Sequence, residues 1–272
     1  MLKRAITGLV FVIVLVSCTY LHQYTLFGMF LLFVLIGSKE YLNILNSNSN
    51  ISPNINLGIF NAAIAFLAIT SEPLLQIDNK VFYAVLLIGI FGIPLIELFN
   101  NKEDPFSNIT HTLFPILYIS LPFSLLVLAN NKFPSYAISY DSDLILGFYF
   151  ILWSNDTGAY LTGKAFGKHK LFERISPNKT WEGSIGGGLL AIIVSILTGT
   201  IFTSLPLWQW AVIGIIISIF GSLGDLVQSL FKRSMGVKDS GKIMPGHGGI
   251  LDRFDGLLIS APFVFTFLLI VN

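Results

Sequence analysis

A stretch near the C-terminus, residues 229–255, holds most of the residue types that could do chemistry. It combines basic side chains, carboxylates, a histidine and five glycines within an otherwise apolar sequence. Glycines let backbone N–H groups approach a ligand closely, Lys and Arg suit phosphate groups, and spaced carboxylates suit a hard divalent cation. The stretch is therefore typical of a site for a metal-bound polyphosphate. Its charged residues and its histidine are Lys232, Arg233, Lys238, Asp239, Lys242, His247, Asp252, Arg253 and Asp255.

The simpler interpretation of this stretch is a cytoplasmic loop that carries positive charge only to orient the protein in a membrane. Such a loop needs Lys and Arg, but it needs neither the Gly-His-Gly-Gly of residues 246–249 nor the Asp-Arg-Phe-Asp of residues 252–255. We therefore favour the ligand site.

Two further acids lie inside long apolar runs, where ionisable residues are costly and usually functional. Asp156 stands in the run Trp153–Tyr160, and Tyr160 follows it by about one helical turn, so both are expected to face the bundle interior. Asp225 is flanked by Gly221 and Gly224, which we expect to clear space beside it. The alternative for Asp156 is a buried, hydrogen-bonded acid that holds two helices together.

A metal site can be built from the helix ends on either side of the 229–255 stretch. Asp225 precedes Asp252 by 27 residues, so the two flanking helices can bring both carboxylates to one point at the membrane surface. We predict that Asp225 and Asp252 are the main ligands of one cation, with Asp255 and Asp156 as further candidates. Mg²⁺ is expected, because it favours a few carboxylates together with phosphate oxygens.

A second basic loop follows Asp156 and spans residues 163–183. Within it, Lys164 and Lys179 are candidate substrate ligands, and His169 is expected to be solvated. The run Ser176-Pro-Asn predicts a turn, and Thr180 is expected to cap the next helix. Lys179 would then lie near a helix N-terminus, where anions bind. The glycines at 186–188 predict close helix packing.

The composition indicates that lipid is the solvent of this chain. It has 272 residues, of which 54% are hydrophobic and only 11% charged, against about 25% charged in soluble domains. Because the net charge is +1, it gives no sign of nucleic-acid binding, and a single cysteine excludes an intrachain disulfide.

We predict an all-α polytopic membrane protein of about nine transmembrane helices with a cytoplasm-facing polar site. Placing the N-terminus in the cytoplasm puts 14 of the 16 Lys and Arg residues on the cytoplasmic side, in agreement with the positive-inside rule. Residues 1–18 also resemble a lipoprotein-type signal peptide, and that alternative stays open. The predicted spans are 5–21, 25–38, 57–70, 81–99, 110–129, 144–162, 184–204, 207–228 and 256–271.

The whole chain, 1–272, is expected to form a single integral membrane domain. Within it we distinguish N-terminal transmembrane helices at 1–143 from C-terminal catalytic helices and cytoplasmic loops at 144–272. The Asn- and Ser-rich residues 39–56 are expected to form a loop without chemistry.

The pattern S-x-F-K-R-x4-K-D-x-G-x2-M-P-x-H-G-G-I-x-D-R-F-D over residues 229–255 resembles the signature of the phosphatidate cytidylyltransferases, also called CDP-diacylglycerol synthases. Met244 is a departure, since the family usually shows Leu, Ile or Phe there. Residues 176–183 and the Ser-Asn-Asp-Thr-Gly-Ala-Tyr around Asp156 are similar to two more family elements.

The resemblance implies that CMP passes from CTP to phosphatidate, giving CDP-diacylglycerol and pyrophosphate. The lipid phosphate is already anionic near neutral pH, so the reaction needs no general base; it needs charge neutralisation. We expect Lys232, Arg233, Lys238 and Arg253 to hold phosphates, with Lys242, Lys164, Lys179 and Asp156 contacting substrate. Asp239 would orient lysines or a second cation, and His247 would either donate to a phosphate or order the loop.

The expected partners are CTP, phosphatidic acid and the lipid bilayer, with a homodimer left open, and the expected location is the bacterial inner membrane with a cytoplasmic active site. Two other functions compete. A transporter would also carry membrane acids, but its polar residues would lie near the midplane. Another lipid-phosphate nucleotidyl or sugar transferase would need a different signature.

Overall fold

The computed structural model describes residues 2–47, 51–133, 140–241, 243 and 248–272, with side chains described from Ile6 onward. Helices form almost all of this structure, as lipid requires of a backbone that must satisfy its own hydrogen bonds. A short antiparallel hairpin is the one sheet in the described residues. The elements are α1 Leu2–Leu21, α2 Gln23–Leu45, α3 Ile55–Leu75, α4 Lys80–Leu98, α5 Pro105–Pro115, a π-helical turn Ile116–Ser120, α6 Leu121–Lys132, α7 Asp143–Phe166, β1 Lys170–Phe172, β2 Ser176–Thr180, α8 Trp181–Ile201, α9 Leu207–Ser234 and α10 Leu251–Val271.

Seven helical segments in the described part of the chain are long and apolar enough to cross a membrane. They are α2, α3, α4, α8, α9, α10 and the continuous segment Pro105–Lys132, which comprises α5, the π-helical turn and α6. The other two helices of the expected nine are α1, whose apolar part Ile6–Leu21 is short, and α7, which contains Asp156 within a polar run. The helical class is confirmed, and the count of nine stays a prediction.

Helix α2 is longer than predicted. It continues through Lys39 and ends at Leu45, so the expectation of a loop from residue 39 is wrong. The reason is that Tyr41, Leu42 and Ile44 extend the apolar pattern by two more turns and are buried. The extension carries Glu40 inside the protein.

The chain divides into two compact units, which we describe separately. The first comprises residues 1–124 and 234–253, and the second comprises residues 125–233 and 254–272. The core of the first unit includes the buried rings of Phe30, Phe33 and Phe123, with the centroids of Phe30 and Phe123 5.0 Å apart.

In the second unit, glycines let α7 and α8 pack closely. A Cβ atom added at Gly158 of α7 would come within 3.0 Å of the Gly187 Cα atom of α8. A side chain at Gly186 would overlap Thr162, and one at Gly188 would touch Ser218 of α9. The predicted packing role of Gly186–Gly188 is therefore confirmed.

Helices α4 and α8 leave most of their apolar side chains uncovered. In the candidate spans, only 11% of α4 and 22% of α8 is buried inside the protein. Exposed side chains such as Ile88, Phe91, Ile185 and Leu189 make large apolar surfaces. Surfaces of this kind mark contact with a membrane or a partner, and the composition of the chain favours lipid.

Candidate active site

The second unit holds a carboxylate paired with a lysine. Lys179 Nζ lies 2.6 Å from Asp225 Oδ2, and it also donates to the Ser222 carbonyl oxygen at 3.3 Å. The Ser229 hydroxyl donates to Asp225 Oδ1 at 3.3 Å. Both charged side chains are half-buried, so water screens their attraction less than it would at an open surface. The geometry links two predicted site residues that lie far apart in sequence.

The β-hairpin delivers Lys179 to this position. The run Ser176–Thr180 forms strand β2, so the prediction of a turn at Ser176-Pro-Asn is wrong; the turn lies at residues 173–175. Pairing with β1 extends this run instead. Thr180 does cap α8, since its side chain accepts the Gly183 N–H at 3.1 Å. Lys179 is thus fixed immediately before a helix N-terminus, as predicted.

Glu182 orders the entry to the hairpin. It lies in the first turn of α8, and its carboxylate accepts the backbone N–H groups of Lys168 and His169 at 3.1 and 3.2 Å. The His169 ring nitrogen Nδ1 lies 2.6 Å from Glu182 Oε1. His169 is exposed, as expected of a solvated residue, and it is also held by this pairing.

Asp255 of α10 belongs to the same unit and approaches α9 at a glycine. A side chain at Gly224 would overlap the Asp255 carbonyl oxygen and come within 3.0 Å of the Gly256 Cα atom. The Asp255 carboxylate is close enough to Asp225, Asp156 and Lys232 to interact with their charges. Gly224 therefore brings the two helices, and with them two predicted metal ligands, close together.

The polar run of α7 is not oriented as expected, because Asp156 and Tyr160 do not face the interior. Asp156 and Tyr160 are exposed, whereas Asn155 is the buried residue, with 1% of its surface accessible. The Asn155 side-chain N–H₂ donates to the Ser222 hydroxyl at 3.1 Å. One step along a helix turns the side chain by about 100°, so burying Asn155 directs Asp156 out of the packed interior.

Two predicted phosphate ligands and one predicted substrate ligand lie in the last turns of their helices. The substrate ligand is Lys164, in the last turn of α7, and the phosphate ligands are Lys232 and Arg233, in the last turn of α9. Positive charge is stabilised there, because the C-terminal end of a helix carries partial negative charge. Lys164 Nζ lies 5.9 Å from the centroid of the Tyr160 ring.

In the first unit, Asp252 binds the loop that precedes α10. Its Oδ2 atom accepts the Ser240 backbone N–H at 2.8 Å, the Ser240 hydroxyl at 2.9 Å and the Gly249 N–H at 3.1 Å. Gly248 has a φ of +82°, and a side chain there would meet Asp252 Oδ2. These backbone groups therefore surround a carboxylate of the chain itself. Of the other predicted residues here, Lys238, Asp239 and Arg253 are exposed.

Lys242, His247 and Met244 lie outside the described residues, so their predicted roles stay predictions. In the part of the chain that the structure describes, no group of three or more His, Cys, Asp or Glu side chains is arranged to hold a metal ion. Mg²⁺ commonly takes one or two carboxylates and completes its shell with phosphate oxygens and water. The grouping of Asp225 with Asp255 and Lys232 suits such a metal–nucleotide complex.

The fold and these groups define a helical, membrane-type protein whose apolar helices carry a mixed acidic and basic site. A model of the cytidylyltransferase family matches residues 2–271. A phosphatidate cytidylyltransferase of Staphylococcus haemolyticus is 34% identical over 261 residues, 95% of each chain. Proteins of the same name from Staphylococcus epidermidis and Staphylococcus saprophyticus are 36% identical over 85% of each chain and 43% identical over 60% of each chain. The chain belongs to the cytidylyltransferase family.

Sequence reasoning missed three residues that hold neighbouring segments in place: Glu40 in the first unit, and Asn155 and Glu182 in the second. Glu40 falls within the predicted loop at residues 39–56, although the apolar residues after it are typical of a continuing helix. Glu182, two residues after the Thr180 cap, is an acid in a first helical turn, where negative charge is favourable. No local signal distinguishes Asn155 from Asp156 as the buried residue.

Proposed function

We propose that the protein transfers CMP from CTP to phosphatidate, giving CDP-diacylglycerol and pyrophosphate. The observation that carries the proposal is the ion pair between Lys179 and Asp225, with Asp255 and Lys232 nearby, on a frame of apolar helices. The reaction requires that a soluble nucleotide and a membrane lipid meet at one site. Here, basic side chains that suit phosphate groups lie on a frame of apolar helices that suit lipid. The names of the Staphylococcus relatives support the same reaction.

In the proposed reaction, an oxygen of the phosphatidate phosphate attacks the α-phosphorus of CTP. A new P–O bond forms, the bond to the bridging oxygen between the α- and β-phosphates breaks, and pyrophosphate leaves with the electron pair. The main barrier is repulsion between two anions. Lysine and arginine side chains lower it by holding phosphates in line and by neutralising the leaving group. Lys179, Lys232, Arg233 and Lys238 would do this, together with Lys164, Lys242 and Arg253.

Mg²⁺ is the metal that we propose for this site, and when bound it would neutralise charge on the triphosphate. Asp225 and Asp252 would be its main protein ligands, with Asp255 and Asp156 as candidates. The Lys179 ammonium group now pairs with Asp225 Oδ2. Because a triphosphate offers several anionic oxygens, Lys179 can turn to the nucleotide and leave Asp225 Oδ2 to the cation.

The test of the proposed function is turnover by the purified protein in mixed micelles of phosphatidate and detergent. We expect conversion of phosphatidate to CDP-diacylglycerol that requires CTP and is lost when EDTA removes divalent cations. Added Mg²⁺ should restore it. One mole of pyrophosphate should be released for each mole of CDP-diacylglycerol formed. If no CDP-diacylglycerol formed with any divalent cation tried, the result would contradict the proposal.

We further propose that all nine helices cross the bacterial inner membrane with the N-terminus in the cytoplasm. Phosphatidate would then enter sideways from the inner leaflet, and the segments 163–183 and 229–255 would face the cytoplasm. The distribution of Lys and Arg along the sequence supports this orientation.

Cysteine labelling in whole cells tests the orientation. In a chain that carries Cys18→Ala, single cysteines introduced at Lys170 and Lys238, both exposed, should resist a membrane-impermeant thiol reagent until the cells are lysed. A cysteine at Asp78 in the 76–79 segment, 65% exposed, is the matched control and should react in intact cells. Reaction of either cytoplasmic cysteine in intact cells would overturn the proposed orientation.

A further inference from the structure

Glu40 is a buried carboxylate that the proposed reaction does not use. It lies near the C-terminal end of α2, and only 6% of its surface is accessible. Burying a charge is costly unless hydrogen bonds compensate for the lost water. Negative charge near the C-terminal end of a helix is also unfavourable, because that end is itself partially negative. The position of Glu40 therefore requires strong partners outside α2.

Those partners are backbone groups at the start of α10. Glu40 Oε1 accepts the Ile250 N–H, and Glu40 Oε2 accepts the Leu251 N–H, both at 3.0 Å. Helix α10 begins at Leu251, and the first N–H groups of a helix have no partner within the helix. Glu40 thus caps α10 from another helix, and its charge lies at the positive end of the α10 dipole.

Ser240 connects Glu40 to Asp252. The Ser240 Oγ atom lies 3.2 Å from Glu40 Oε2 and 2.9 Å from Asp252 Oδ2. A hydroxyl has one proton, so it donates to one of the two carboxylates at a time. The shorter distance favours Asp252 as the acceptor. A shift of Ser240 would change the surroundings of both carboxylates.

Two glycines of the loop are shaped around the Glu40 carboxylate. A side chain at Gly249 would overlap Glu40 Oε2 and the Ser240 hydroxyl, and one at Gly241 would overlap Glu40 Oε1. The sequence predicts that the glycines of this stretch let backbone N–H groups approach a bound ligand closely. At Gly241 and Gly249 the group that the backbone approaches is Glu40. The loop thus encloses this acid from two sides.

We propose that Glu40 is a positioning residue of the reaction. It holds the first residues of α10 and lies beside the Ser240 hydroxyl, and through these contacts it fixes the orientation of the Asp252 carboxylate, without contacting substrate. The proposal rests on the proposed function, in which Asp252 helps to bind the metal–nucleotide complex. It assigns helix α2 a part in building the site.

The test compares Glu40→Gln with Glu97→Gln in the full-length protein. Glu97 is the matched control, because it is 5% exposed, belongs to the same unit, and its carboxylate accepts described hydrogen bonds from the side chains of Asn100 and Asn108 and from no backbone N–H. We expect Glu40→Gln to lower kcat by about tenfold to a hundredfold, since a displacement near 1 Å can cost about that much. Glu97→Gln should keep kcat within about threefold.

Two further measurements separate positioning from loss of folded protein. Glu40→Gln should raise the Mg²⁺ concentration that gives half-maximal rate by about tenfold, whereas partial unfolding lowers the rate without moving that concentration. Hydrogen exchange of the Ile250 and Leu251 amides, measured without substrates, should accelerate in Glu40→Gln and stay unchanged in Glu97→Gln. An inactive wild type would refute the proposed function. Equal exchange in the two variants would refute the role of Glu40.

Ser240→Ala gives a second variant if Glu40→Gln fails to accumulate. It removes a single hydroxyl and should raise the half-maximal Mg²⁺ concentration in the same direction, by less. Because both residues act through one network, the double variant should lose less activity than the product of the two single effects. Unchanged Mg²⁺ dependence in Ser240→Ala, or fully multiplicative losses in the double variant, would overturn the proposal.

Discussion

Replacing Asp225 by asparagine should lower kcat by about 10²–10³-fold, the range that removal of one key electrostatic group produces in other enzymes. Asp225 is half-buried, pairs with Lys179 at 2.6 Å and lies in the electrostatic range of Asp255. Asparagine keeps the size of the side chain and can still accept from Ser229. It removes the charge that would bind the cation and orient Lys179. The measurement is kcat of the purified variant at saturating CTP, phosphatidate and Mg²⁺.

The matched control for this variant is Asp143→Asn. Asp143 is also a half-buried aspartate of the second unit, but it lies in the first turn of α7 and hydrogen-bonds with Asp141. We expect it to retain kcat within about threefold. Both variants should keep a thermal midpoint close to that of the wild type. If Asp225→Asn kept more than a tenth of the wild-type kcat, Asp225 would not be a main ligand.

Asp252→Asn should reduce turnover about as strongly while leaving the loop before α10 ordered. In the structure, Asp252 Oδ2 accepts three hydrogen bonds, two from Ser240 and one from Gly249. The amide oxygen of asparagine can take the place of Oδ2 and accept the same bonds. The change therefore removes the negative charge and keeps an acceptor for these three hydrogen bonds to the loop.

The result depends on measuring activity and loop order together. We expect kcat to fall by about 10²–10³-fold, with hydrogen exchange at Gly249 and Ser240 unchanged. Asp78→Asn, at an exposed aspartate paired with Lys80, is the control and should match the wild type in both measurements. If exchange accelerates along with the loss of activity, Asp252 orders the loop and the prediction that it shares a cation with Asp225 fails.

Local sequence signals predicted most of the helices. Apolar runs indicate spans because a chain in lipid must bury its backbone polar groups in helices, and Thr180 is a recognisable cap for α8 because capping depends on residues only three positions apart. The close packing at Gly186–Gly188 could also be predicted, because small residues let transmembrane helices approach closely.

The parts of the site that were missed depend on distant partners. The acceptors of Ser240 and Leu251 include Glu40, which lies 200 and 211 residues away along the chain. Nothing in the neighbourhood of Glu40 indicates these bonds. Likewise, whether Asn155 or Asp156 faces the interior depends on how α7 is rotated against Ser222. The sequence predicted which residues carry charge, but tertiary packing decides which of them meet.

The capping of α10 by Glu40 has a consequence for biosynthesis. Ribosomes deliver α2 to the membrane long before residues 234–253 exist, and the first compact unit needs both segments. Contacts between such distant segments form slowly, because a long stretch of chain must be ordered first. In the nascent protein, the Glu40 carboxylate therefore lacks the Ile250 and Leu251 N–H groups until α10 has been synthesised. Residues 144–272 made alone would contain every candidate metal ligand and still lack the acid around which Gly241 and Gly249 are shaped.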